Sequence, residues 1–513
     1  MKAAETPAAI ILNPADNVGV ARIAIPKGRG VATDDGVLIA QADIPSGHKI
    51  ALRAIAAGAA VLKYGQVIGV ATADIAAGDH VHLHNLAMQD SHAAHHFAQD
   101  ARATPLLPAD QRRSFQGYRR ADGQVGTRNY IGIVTSVNCS ATVARAIADH
   151  FNRGDGLKGY DNIDGVVALT HGTGCAINMQ SEGYLYLQRV LSGYASNPNF
   201  AAILFIGLGC ETNQIDPILR RFGLEEGPHL RVMTIQNLGG TRKTVDIACD
   251  IIRDMLPEAN ARQRSTVALS GLKVALQCGG SDGYSGISAN PALGYAADLI
   301  VQHGGTAVLS ETPEIYGAEH LLTRRAVTPA VAQKLMDRID WWRDYTRRNG
   351  AELNNNPSHG NKLGGLTTIL EKSLGAVAKG GSMPLEAVYE YAEIIDRTGF
   401  VFMDTPGYDP VAVTGQVAGG CNVIVFTTGR GSVSGFKPAP CIKVATNSQM
   451  YEHMSDDMDI NCGDIVQGTD TIEAAGQRIF EKILAVASGA HTLSEDYGFG
   501  DSEFVPWQIG AVT

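Results

Sequence analysis

The fold is read from LQCGGSDGYSGISANPALG, residues Leu276 to Gly294. It continues a short apolar run, Val274-Ala275-Leu276, which reads as a buried strand of a parallel sheet. Cys278, Gly279, Gly280, Ser281 and Asp282 follow in one loop. Beyond Asn290-Pro291 the chain turns alanine-rich and helical, and Pro291 suits a first helical turn, where its missing N–H costs nothing. A thiol, a hydroxyl and a carboxylate thus stand at the carboxyl end of a strand, the edge where open α/β sheets bind ligands. The glycines permit close backbone approach and leave N–H groups free to face an anion. A single loop of this kind is also what a plain strand-to-helix turn looks like. The reading turns on how many similar loops surround it.

Several do. Downstream, Thr306 to Leu309 reads as a strand ending in Ser310-Glu311-Thr312-Pro313-Glu314, and Phe400 to Met403 as one ending in Asp404-Thr405-Pro406-Gly407. Val423 to Thr427 ends in Thr428-Gly429-Arg430-Gly431, and Ile442 to Ala445 in Thr446-Asn447-Ser448. Asn361-Lys362 falls in a glycine-rich loop. Upstream, the strands Tyr130 to Val137, Ile163 to Thr170 and Ala201 to Leu208 each run into a loop with a cysteine: Cys139, Cys175 and Cys210. Two α/β domains are expected, at 116–265 and 266–513. Residues 8–90 instead show short runs alternating with Gly, Pro and Asp turns, a small β domain. Its turn phrases Ile44-Pro45-Ser46-Gly47-His48 and Ile75-Ala76-Ala77-Gly78-Asp79-His80 suggest two related halves. His80, His82 and His84 alternate, so a strand would point all three to one face, either as metal ligands or as an exposed edge. Residues 91–115 read as a linker, with His92, His95 and His96 solvated.

Bulk composition narrows the function. The chain has 513 residues and a formal net charge of −10, which argues against nucleic-acid binding. No apolar run approaches the length of a membrane span, and the N-terminus lacks the order of a signal peptide. Eight scattered cysteines without a CxxC pair read as reduced thiols of a cytoplasmic protein.

The strand-end loops collect carboxylates (Asp282, Glu311, Asp404, Asp459), cations (Lys362, Arg430, Lys443) and the Cys278 thiol. An anionic sugar acid needs that mixture: cations for its carboxylate, a base for the adjacent proton, and electrostatic support for the enediolate. There is no Walker phosphate loop, and no G-x-G-x-x-G opens a βαβ unit.

The phrases SGHKIAL, KYGQVIG, YRRADGQVGTRN, GLGCE, CGGSDGYSGISANP, GNKLGG, TTGRG, KVATNS and SGAHT occur in that order. Through them the chain resembles the altronate and galactarate dehydratases, sugar-acid hydro-lyases, over essentially its whole length. The resemblance implies an N-terminal β-clip domain, a middle domain that makes a homodimer, and a C-terminal, unusual Rossmann-like domain holding a metal. The implied cofactor is a divalent ion, Fe²⁺ in active enzyme, with Mn²⁺, Mg²⁺ or Ca²⁺ able to take the site. Sulfolactate sulfo-lyases share related modules, so sulfite elimination is one alternative, and a non-catalytic sugar-acid-binding protein is another. Pro357-Ser358-His359-Gly360-Asn361-Lys362 departs from the family's PSPGNK. HVHLHN looks like the altronate branch and Gly174 to Asn178 like the galactarate branch, which leaves the sugar acid open.

The expected metal ligands are Cys278, Asp282 and Glu311. Arg430 is expected to grip the substrate carboxylate and Lys362 to act as base. His48 and Lys49, on a turn of the β domain, are expected to close over the substrate and protonate the leaving hydroxyl, with His48 alternatively a metal donor. Ser281, Asn290, Asn361, Lys443 and Asn447 complete the expected binding set.

Overall fold

A computed structural model describes residues 7–33, 36–89 and 96–510. The expected positions His92 and His95 lie outside the described residues; His96 is exposed.

Residues 7–89 form a β unit. One antiparallel sheet runs Ala9–Ile10, Val18–Ala21, Lys49–Ala51, His80–Val81, and another Ala60–Lys63, Gln66–Ala71, Leu86–Ala87. The two related halves are visible as geometry. Ile25 bridges Ile44 and Ile55 bridges Ile75, and each isoleucine opens a turn closed by a glycine (Gly28, Gly47, Gly58, Gly78) at φ between +79° and +89°. A side chain there would be strained, so glycine is the residue the turn requires.

In the middle unit, four parallel strands lie in the order Val166–Leu169, Tyr130–Thr135, Phe200–Gly207, Leu230–Thr234. Entry and exit are tied together, because Ser114–Arg119 pairs antiparallel with Ser265–Ala268.

The C-terminal unit is built on seven parallel strands, in the order Leu385–Tyr389, Gly399–Met403, Thr306–Leu309, Lys273–Cys278, Val423–Thr428, Cys441–Ala445, Ile460–Asn461. Both faces are buried, so the strands read as unbroken apolar runs. Val423 and Val425 face the layer carrying helices Ala289–Gln302 and Ile472–Ala487. Ile424 and Phe426 face helix Asp409–Ala418 and the Trp342–Trp507 stack. That second core also takes in Tyr186, Leu187 and Val190 of the middle unit, so the two α/β units share one apolar interior. The strands Leu385–Tyr389 and Ile460–Asn461 were not legible in the sequence. Each lies at a sheet edge, one interrupted by a register shift and the other only two residues long.

After Lys273–Cys278 the chain first builds one side of the sheet, then crosses to the other at Val423–Thr428. The switch point therefore lies between these two strands. The loops at their carboxyl ends are the quoted Cys278–Ser288 stretch and Thr428-Gly429-Arg430.

Candidate active site

Asp282 stands at the switch point. Its Oδ1 accepts from the Tyr284 backbone (3.1 Å) and Ser285 Oγ (3.0 Å), and its Oδ2 from Thr446 Oγ1 (3.0 Å) and Asn447 Nδ2 (3.1 Å). Burial pushes this carboxyl up, and the hydrogen bonds oppose that shift. Gly429 is glycine because a Cβ there would lie 2.2 Å from the Asp282 carboxyl carbon.

The β unit docks on this edge through glycines. A Cβ on Gly283 would meet the Gly47 carbonyl at 2.1 Å, and one on Gly365 would meet it at 2.2 Å. The turn Ser46-Gly47-His48 thus sits backbone to backbone on the loops around Gly283 and Gly364-Gly365. Ser46 Oγ reaches Tyr284 Oη, and Tyr284 Oη donates to the Ala21 carbonyl at 2.8 Å. Between the two units lies a crevice of about 610 Å³. Arg22 and Ser46 line it from the β unit, and Asp282, Leu363, Arg430 and Asn447 from the C-terminal unit. Arg430 is exposed on its wall. Arg22 donates through Nη1 to the Gln467 carbonyl, while its Nε is buried with no partner.

Behind the Cys278 loop lies a second polar group. Single donor atoms of Cys278, Glu311 and Glu314 fall within 4.8 Å of one another. Lys379 Nζ is 2.9 Å from Cys278 Sγ and 3.2 Å from Glu311 Oε2, and Lys372 Nζ is 2.6 Å from Glu314 Oε1. Burial pushes the Cys278 thiol up to about 12 and Glu311, beside Glu314, up to about 8. Glu311 Oε1 is buried without a partner, and Glu311 holds the left-handed region at φ 71°, a strained place for a side chain. Two carboxylates and a soft thiol suit iron, and a cation entering there would draw off the protons that burial retains.

The expected residues therefore separate. Cys278 and Glu311 come together with Glu314, and Asp282 lines the crevice on the other side of the loop. Lys362 lies in the short helix His359–Leu363 rather than in a loop, because Ser358 and Asn361 form a capping box. Asn361 also donates to the Ser281 carbonyl (2.8 Å), fastening the helix to the quoted stretch. Ser281 completes a G-x-S-x-G spacing, Gly279 to Gly283, yet it is buried, and among the described residues no hydrogen bond joins it to a histidine. Asn290 bonds the Gly375 carbonyl and Thr427, and Lys443 bonds the Ser434 carbonyl; both are buried away from the crevice lining. Asp404 is held by Trp342 and Thr312, and Asp459 by Lys482 and the Leu493 backbone. Lys49 is fully buried, with Nζ 2.8 Å from Glu371 Oε2 and 2.7 Å from the Gly365 carbonyl.

His48 is buried between the units. Its Nε2 lies 3.1 Å from the Leu363 carbonyl and its Nδ1 3.0 Å from His80 Nε2. A carbonyl only accepts, so Nε2 carries the proton and Nδ1 of the neutral ring accepts from His80. His80–Val81 is the only strand in HVHLHN, and the rest is a turn; the three rings still gather on one side.

Arg22, Glu314, Lys372 and Lys379 are the site residues that sequence reasoning missed. Lys372 and Lys379 stand seven residues apart with no motif to mark them, and Arg22 lies 260 or more residues from its crevice partners in the C-terminal unit, visible only once the units dock.

Family models for the altronate/galactarate dehydratase SAF domain, the D-galactarate dehydratase/altronate hydrolase second domain and the D-galactarate/altronate dehydratase C-terminal domain match residues 7–89, 117–260 and 269–512. The chain is 38% identical to galactarate dehydratase (L-threo-forming) of Escherichia coli strain K12, over 96% of each chain. It is 35% identical to altronate dehydratase of the same organism, over 96% of this chain and 97% of that one. Altronate dehydratase of Bacillus subtilis strain 168 is 33% identical over 94% and 95%.

Proposed function

The chain belongs to the galactarate/altronate dehydratase family of hydro-lyases, and from that premise we propose that it removes water from a hexonic or hexaric acid to give a 3-deoxy-2-keto acid. The observation that carries this reading is the crevice at the switch point, where Arg22 of the β unit and Arg430 of the C-terminal unit line the same space. A guanidinium fork suits a carboxylate, and two of them on opposite walls suit an elongated anionic substrate.

Arg430 holds the carboxylate next to the carbon that loses its proton. Lys362, beside Leu363 and Gly364 of the crevice wall, takes that proton. The C–H electron pair forms the double bond as the β-hydroxyl departs, and a solvent proton relayed through His48, which returns to its neutral ring, makes it water. The enol then tautomerises to the 2-keto acid. Asn447 and Asp282 fix the wall, and Lys49, through Glu371, positions the turn that carries His48. Cys278 and Glu311, joined by Glu314, would hold Fe²⁺, which supplies Lewis-acid chemistry when bound. Assembly as a homodimer through the middle unit belongs to the same reading; Met179 and Ile247 are exposed there.

The test is an anaerobic incubation of the reduced protein and Fe²⁺ with a panel of aldonates, aldarates and sulfolactate. Release of a 2-keto acid from one sugar acid is expected. Sulfite release would replace this reading with a sulfo-lyase, and tight binding without turnover would replace it with a binding protein.

A further inference from the structure

Three imidazoles of the β unit enclose one point. The His48 and His80 ring centroids are 5.2 Å apart, His48 and His82 4.7 Å, and His80 and His82 5.5 Å. His48 Nδ1 and His80 Nε2 face each other at 3.0 Å. Two imidazole nitrogens bound cis to one ion at about 2.1 Å stand about 3 Å apart. His82 Nδ1 is buried with no hydrogen-bond partner among the described residues, a cost that native proteins rarely carry without a reason.

The surroundings are those of a ligand set. The other nitrogen of His48 donates to the Leu363 carbonyl, the outer contact that orients a metal-binding histidine. Asn85, itself buried, accepts from the His82 backbone (2.9 Å) and donates to the His80 carbonyl (2.9 Å), so one side chain fixes the turn presenting both rings. Burial first, then the neighbouring imidazoles and Lys49, hold His80 down at about 4 and His82 at about 3, which keeps both rings neutral as ligands must be. Lys49 and Lys63 share the Glu371 carboxylate at 2.8 Å and 2.9 Å, which offsets one of their two charges.

We propose that His48, His80 and His82 form a binding site for one divalent transition-metal ion, separate from the Cys278–Glu311–Glu314 group. Imidazole donors select the borderline ions Fe²⁺, Co²⁺, Ni²⁺ and Zn²⁺ over Mg²⁺ or Ca²⁺. On binding, the His80 proton moves from Nε2 to Nδ1, so no net charge is released. His48 Nε2 keeps its proton toward Leu363. The site ties the turn at His48 to the turn at His80–Asn85, and with it one wall of the crevice.

The experiment is a Co²⁺ titration of the full-length, metal-free chain, followed by its visible spectrum and without substrate. It is therefore independent of the dehydratase reading. A histidine site gives d–d bands without the near-ultraviolet thiolate charge transfer that Cys278 would contribute. His80→Ala and His82→Ala should each weaken that uptake by at least about tenfold, the lower range for disturbed metal sites. Cys278→Ser and Glu311→Gln should leave the d–d bands in place. Unchanged uptake in folded His80→Ala and His82→Ala, or loss of the bands in Cys278→Ser alone, overturns the proposal. Should a histidine variant fail to fold, carbethoxylation of the unmodified chain decides. Co²⁺ should protect His80 and His82 while exposed His84 still reacts, and equal reaction of all three with and without Co²⁺ overturns it.

Discussion

Lys49 Nζ lies 2.8 Å from Glu371 Oε2, and Lys63 Nζ 2.9 Å from the other carboxylate oxygen, with all three side chains sealed from solvent. The lysines come from the β unit and the glutamate from helix Ile369–Val377 of the C-terminal unit. The two cations hold Glu371 far below the ordinary carboxylate range. This ion triad is the polar clamp of the docked interface. It carries the turn bearing His48 and sets one wall of the crevice.

Glu371→Gln leaves two ammonium groups buried without a counter-charge. A loss of about 3–5 kcal/mol is expected, the range for breaking a buried pair from one side. Denaturant unfolding monitored by circular dichroism checks it. A change under about 1 kcal/mol would show that the interface relaxes and admits water.

Arg430→Lys keeps the charge and loses the fork. Substrate binding should weaken by about 1–3 kcal/mol, the worth of a charged hydrogen bond. The loss should fall mainly on KM, and steady-state kinetics with the preferred sugar acid reads it. An unchanged KM with a collapsed kcat would move Arg430 from binding to the chemical step.

Lys362→Met removes the proposed base but little of the binding surface. Binding by calorimetry should stay near that of the unmodified enzyme, while exchange of the substrate's α-proton with solvent deuterium stops. Normal exchange would take the role of base away from Lys362.

Removal of the proposed iron should show as loss of turnover in air or chelator and recovery with Fe²⁺ plus a thiol reductant. Cys278→Ser and Glu311→Gln should lower the iron retained by the purified protein, whereas Asp282→Asn should keep the iron and lose substrate affinity. Indifference to air, chelator and reductant would sink the iron-dependent mechanism.

The histidine cluster gives the metal-free protein an acid-side instability of fixed sign. The folded state holds His80 at about 4 and His82 at about 3, below the ordinary histidine value of about 6.5. In that window the unfolded chain binds more protons, so stability falls as pH falls from about 6.5 towards 4. The double variant His80→Gln/His82→Gln should show a flatter Tm against pH across the same window. Equal slopes for the two proteins would mean that other groups carry the acid response.

The sequence by itself determined the layered α/β architecture, the β unit ahead of it, and the edge that carries chemistry. Those features are local. An apolar run followed by Gly, a polar loop and a helix start is visible within about twenty residues, as at Leu276 to Gly294. Family membership was legible for the same reason, since its phrases are short contiguous stretches such as CGGSDGYSGISANP. Only the tertiary structure decided which polar residues meet. Asp282 and Cys278 are four residues apart, yet they fall on opposite sides of one loop, into the crevice and the buried thiol–carboxylate group. Lys49, adjacent to His48, is consumed by Glu371, 322 residues away. His48 meets His80 and His82 because the pseudo-repeated turns of the β unit close on each other. Partnership between charged groups depends on contacts distant in the chain, and spacing along the sequence carries no record of which partner each burial supplies.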